Sequence, residues 1–198
     1  MKEKTINDSG FKIETFRQAQ TDMCNGYANG AIGVIVSGLI WLTAAIIAYQ
    51  FSSKQAILML LLGGMFIFPI SVLLNKLIGL SGTHAKGNQL GTLAMEGTIF
   101  MIMCLPLAYG LSSQKTEWFF QAMLLIIGGR YVTFATLYGT RLYWVLGAVL
   151  GISACLLFYF KFQSLSSLLT GSFIELSFGL FMFISFRKNK LHIDKNTK

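Results

Sequence analysis

The chain has 198 residues, 54% of them hydrophobic and 12% charged, with a formal net charge of +8. A soluble domain carries about 25% charged residues, so half that share beside long apolar runs excludes an ordinary water-soluble domain and points to the membrane class. The positive charge is no sign of nucleic-acid binding, because it sits beside hydrophobic spans without exposed aromatics between the basic residues, the arrangement that membrane anchoring uses.

Residues 1–30 form a polar N-terminal segment. Within 11–24, Phe11, Ile13, Phe16 and Met23 alternate with charged positions, which predicts a short amphipathic, interfacial helix for packing or anchoring. The start is polar and mixed in charge, so no secretory leader is expected, and Met1-Lys2 excludes N-myristoylation.

Six apolar spans follow over 31–187: about 31–51, 56–74, 90–111, 119–139, 142–160 and 168–186. Each has roughly 19–22 residues, enough at about 1.5 Å per residue to cross a hydrocarbon core of about 30 Å. Only Gly139-Thr140-Arg141 separates the fourth from the fifth. One helix over 118–160 would be about 65 Å long, so the chain must turn back there. The expected fold is all-α, a bundle of six transmembrane helices behind a short amphipathic one, with a basic tail at 188–198.

The basic residues orient it. With both termini in the cytoplasm, twelve of the sixteen fall inside: Lys2, Lys4, Lys12, Arg17, Lys76, Lys86, Arg141, Arg187, Lys188, Lys190, Lys195 and Lys198. Only Lys54, Lys115 and Lys161 fall outside, and Arg130 lies within a span. This is the positive-inside pattern of a protein of the cell (inner) membrane.

Three ionisable residues sit inside spans: Glu96 in the third, Arg130 near the middle of the fourth, and Glu175 in the sixth. A mid-span charge costs at least about 2.5–3.5 kcal/mol, so such groups face a partner or a wet cavity. Arg130 is therefore expected to meet one or both carboxylates, in a polar cavity with Glu96 on its cytoplasmic side and Glu175 on its outer side. Thr133 and Thr136 line the same stripe as Arg130 at helical spacing, and Gly171, Ser172 and Gly179 make a small-residue face around Glu175. Gly63-Gly64 with Pro69, and Gly128-Gly129, are places where spans two and four could break, as helices do around many transporter sites. Helix alignment suggests a parallel two-helix repeat in one register and an inverted three-helix repeat in another, and the two are mutually inconsistent.

The loop 81–91 carries His84, Lys86 and Asn88 beside the Glu96 helix. It reads as a solvated flank of the membrane that could meet an anionic headgroup, and no phosphate-loop spacing is present. The cysteines Cys24, Cys104 and Cys155 have neither disulfide nor metal spacing, and no catalytic motif is found. No catalytic, metal or cofactor residues are expected.

The segments GAIGVIVSGLIWL from Gly30, THAKGNQLGTLAMEGT (83–98), PLAYGL (106–111) and GGRYVTFATLYG (128–139) combine polar residues and glycines in ways that generic apolar helices do not. Through them the chain resembles a bacterial inner-membrane family catalogued as a domain of unknown function. The resemblance implies a small polytopic protein and carries no activity or site residues. Three functions stay open. One is transport or transport-like binding of a small, anionic solute. Another is a non-catalytic scaffold, homo-oligomeric or accessory, and the last is a lipid-acting enzyme using His84 and Glu96. The bilayer itself is the expected partner, and nucleic acid is not.

Overall fold

The structure is a computed structural model that describes residues 16–196, with side chains described for 16–188. Phe11 and Ile13 of the expected amphipathic stretch, and the side chains of the basic tail beyond Lys188, lie outside it. Among the described residues every regular element is helical. They are α1 (Phe16–Tyr27), a 3₁₀ turn (Ala28–Gly30), α2 (Ala31–Gln50), α3 (Ser53–Leu77), α4 (Gln89–Ser112), α5 (Thr116–Tyr138), α6 (Leu142–Tyr159) and α7 (Ser164–Asn196). Six of the helical stretches are long and apolar enough to cross a membrane. The protein is a multi-pass, all-α membrane bundle.

α1 is amphipathic because Ala19, Met23 and Gly26 recur at helical spacing and are buried, with Ala19 and Met23 packed against Leu90 of α4 and Leu137 of α5. The chain then turns sharply into α2 through three successive left-handed residues, Ala28, Asn29 and Gly30 (φ 51°, 56° and 77°). Only glycine fits at position 30. A Cβ there would run into the Tyr143 hydroxyl and the Tyr138 ring, in a backbone region that side chains disfavour.

Four helices make the core. α2 lies along α7, α5 along α6, and both α5 and α6 touch α7. α3 packs mainly on α2, and α4 mainly on α5, so these two helices lie outside the core with long apolar faces turned outward. The close approaches are made at glycines. An added Cβ at Gly128 would lie 2.9 Å from the Gly147 carbonyl oxygen, one at Gly171 2.9 Å from Trp41 and Leu124, and one at Gly179 2.7 Å from Ile35. The small-residue face of the sixth span is thus its contact with α2 and α5.

Neither expected break occurs. α3 runs unbroken through Gly63, Gly64 and Pro69, and α5 runs unbroken through Gly128 and Gly129. Gly63 is needed for contact rather than for bending, since its Cβ would meet Ile40 at 2.7 Å. The turn expected at 139–141 is present: α5 stops at Tyr138, left-handed Gly139 (φ 65°) caps it, and α6 starts at Leu142.

Candidate functional site

Glu175 is fully buried in the middle of α7. Its Oε1 accepts a hydrogen bond from the Tyr131 hydroxyl of α5 at 3.2 Å. The buried Ser37 of α2 lies within hydrogen-bonding reach of both groups. Three helices therefore converge on one carboxyl, and its second oxygen, Oε2, has no partner among the described residues. Tyr131 is held by an aromatic layer. Its ring stacks on Tyr143 with centroids 5.9 Å apart, Tyr143 stacks on Tyr138 at 5.5 Å, and Phe134 meets Tyr131 and Tyr143 edge-on. The Tyr143 hydroxyl donates to the Asn29 carbonyl at 2.7 Å, which ties this layer to the left-handed turn.

Arg130 precedes Tyr131 but points elsewhere. Successive residues on a helix diverge by about 100°, so once Tyr131 faces α7, Arg130 must face α4. There Nη2 donates to Thr98 Oγ1 at 2.9 Å, Nη1 lies 4.0 Å from Met101 Sδ, and the guanidinium sits 5.2 Å from the Phe134 ring centroid. Its Nε is buried and unpartnered among the described residues.

The cluster expected from the sequence is accordingly divided. Among the described residues, neither Glu96 nor Glu175 forms an ion pair with Arg130. Glu96 is exposed on α4, because the neighbouring Gly97 is the position that faces α5, opposite Thr133 and the Arg130 stem. Thr133 bonds its own helix, donating to the Arg130 carbonyl at 2.7 Å. Thr136 is exposed, and its carbonyl accepts from Gln20 Nε2 at 2.7 Å. The expected polar cavity on Arg130 is not among the clefts described. One cleft of about 430 Å³ lies at one end of the bundle by Tyr49, Ser53, Glu117 and Gln163, and one of about 290 Å³ lies at the other end by Gln20, Thr136, Arg141 and Trp144. Neither is lined by Arg130 or Glu175.

The loop residues are used unequally. His84 Nδ1 hydrogen-bonds the Tyr27 hydroxyl at 2.9 Å, and its ring covers Gly91, where a Cβ would collide with it. Lys86 is exposed. Asn88 is buried and structural. Its Oδ1 caps α4 by accepting from the Leu90 amide at 3.0 Å, and its Nδ2 donates to the Ala19 carbonyl at 3.1 Å and to Asp22 Oδ2 at 2.7 Å. Asp22 Oδ2 also accepts from the Ala85 amide at 2.9 Å, so one carboxylate of α1 clamps the loop. In this loop the asparagine is therefore a cap rather than a free ligand, and His84 is set against Tyr27 and Gly91.

The sequence reading missed Asp22, Ser37 and Tyr131. The available signals were one acid within the short amphipathic helix, a Ser-Gly pair inside an otherwise apolar span, and a tyrosine directly beside the mid-span arginine.

Among curated proteins and solved structures, none matches this chain. A family does, over residues 16–185, which take in the first five spans and all but the last few residues of the sixth. The chain belongs to the family of unknown function DUF7010.

Proposed function

We propose that this protein is a small-solute transporter or transport-like binder of the cell membrane, with both termini in the cytoplasm and its site at the Glu175, Tyr131 and Ser37 junction flanked by Arg130. One observation carries the reading: an arginine and a carboxyl group lie inside the bundle on adjoining helices, α5 and α7, and form no ion pair with each other. Each keeps a buried polar atom without a partner among the described residues. Burying such a group unsatisfied costs about 1–3 kcal/mol or more, an expense that a purely structural pair would avoid by closing. A solute with an anionic group for Arg130 and a donor for Glu175 would satisfy both. The outlying helices α3 and α4, each packed mainly on one core helix, are the elements whose movement against the core would admit it, as alternating access requires.

The test is a thermal-shift panel of small anions, zwitterions and amines on the detergent-solubilised protein, followed by uptake of any hit into reconstituted vesicles. A stabilising solute whose effect disappears in Glu175→Gln and in Arg130→Met is the expected result. If no solute stabilises the protein, and a cysteine at Thr133 never reacts with water-soluble reagents from either side, the site is a dry structural contact. That scaffold reading has one observation in its favour, the absence of Arg130 and Glu175 from the lining of both clefts.

A further inference from the structure

We propose that the cleft at the α5–α6 turn holds the anionic headgroup of a phospholipid, with an acyl chain lying along the seam between these helices. The cleft, about 290 Å³, is lined by Arg141, Thr136, Thr140, Gln20 and Trp144, and no acidic residue among the described ones lines it. Arg141 is exposed and has no hydrogen bond or ion pair to another described side chain, so its planar donor fork is available to a phosphate oxygen pair. The Thr136 side chain is also exposed and borders the same space. Trp144 is 62% exposed at the mouth, where the membrane–water boundary favours an amphipathic ring.

Below the cleft the surface becomes apolar without a break. Leu125, Gly129, Val132 and Thr136 form an exposed stripe on α5 at helical spacing. The stripe lies at the seam with α6. A Cβ at Gly147 would stand 2.8 Å from Val132, and one at Gly151 would stand 3.7 Å from Leu125. Between these two contacts, Gly129 has nothing within 4 Å of the Cβ position, leaving a trough. From Thr136 to Leu125 the helix rises about 16 Å, which matches half of a hydrocarbon core of about 30 Å, the depth of one leaflet. A cationic, hydroxyl-lined head joined to an apolar trough one leaflet deep is the shape of an anionic lipid. Free phosphate would use only the head.

The experiment titrates delipidated protein in mild detergent with dioctanoyl phosphatidylglycerol, with dioctanoyl phosphatidylcholine and with inorganic phosphate, reading bound lipid by native mass spectrometry and stability by thermal midpoint. Phosphatidylglycerol should bind at least about tenfold more tightly than phosphatidylcholine, and Arg141→Gln should remove about that factor, with Arg141→Lys restoring part of it. Gly129→Leu, which fills the trough, should weaken phosphatidylglycerol while the lipid-free midpoint does not fall below that of the parent. Equal binding of the two lipids, or indifference to Arg141→Gln, would overturn the proposal. So would inorganic phosphate stabilising the protein as strongly as the lipid does, with Gly129→Leu having no effect, because the site would then belong to the free ion.

Discussion

Adjacent glycines in α5 should respond to the same substitution in opposite directions. Alanine in place of glycine within a helix gains about 0.8–1.0 kcal/mol of propensity, and this gain is common to Gly128→Ala and Gly129→Ala. At Gly129 the new methyl meets nothing within 4 Å. At Gly128 it would stand 2.9 Å from the Gly147 carbonyl oxygen, 3.2 Å from Leu150 Cβ and 3.3 Å from the Gly151 amide nitrogen. Two of those three atoms are backbone, which cannot rotate aside as a side chain can, so α5 and α6 must separate. Overpacking of this kind costs about 1–3 kcal/mol. Because the propensity gain cancels between the two variants, their stabilities should differ by about that amount. At roughly 2–4 °C per kcal/mol for a chain of this size, the melting midpoints should lie roughly 2–12 °C apart, with Gly129→Ala the higher. Thermal unfolding of both variants in one detergent, followed by circular dichroism, measures it. A Gly128→Ala protein at least as stable as Gly129→Ala would show that α5 and α6 do not meet at the glycines, and the α5–α6 seam would have to be redrawn.

Asp22→Ala removes the acceptor of both the Ala85 amide and Asn88 Nδ2. It should destabilise the protein by about 1.5–3 kcal/mol and speed hydrogen exchange in residues 78–88, and unchanged exchange there would mean that α1 does not clamp the loop. With Cys24, Cys104 and Cys155 replaced, single cysteines at Ser53 and Ser113 should be labelled by an impermeant maleimide from outside intact cells and one at Thr83 should not. Labelling at Thr83 with protection at Ser113 would reverse the proposed orientation.

The difference between these tests follows what each level of description holds. Chain length against bilayer thickness is one-dimensional information. It separates six apolar runs of about twenty residues and forces the turn at Gly139-Thr140-Arg141, where α5 does stop and α6 does begin. The short helix α1 was legible only in part: Met23 lies on its buried face, but Phe16, read as belonging to the same stripe, is exposed, and Ala19 and Gly26 complete the face instead. Proline and glycine inside spans were misleading as signs of a break. Helix α3 stays continuous through Pro69, and Gly63 and Gly128 are present because Ile40 and the α6 backbone occupy the space their side chains would need.

Partnership between the mid-span charges could not be read along the chain. Charge in a span shows that a group needs company, and the sequence supplied two carboxylates and an arginine without saying which faces which. That depends on the rotation of each helix about its axis, and the glycine contacts set it. Gly128 against Gly147 turns α5 so that Tyr131 faces the Glu175 side of α7 and Arg130 faces Thr98 and Met101 of α4. Gly97 against Thr133 leaves Glu96 on the outer side of α4. Membrane class and the number of apolar helices were thus determined by sequence alone, because transfer into an apolar solvent depends on composition over a fixed length. The identity of the buried site was decided only in the tertiary structure, because a rotation of about 100° on a helix exchanges one neighbour for another at no change in composition.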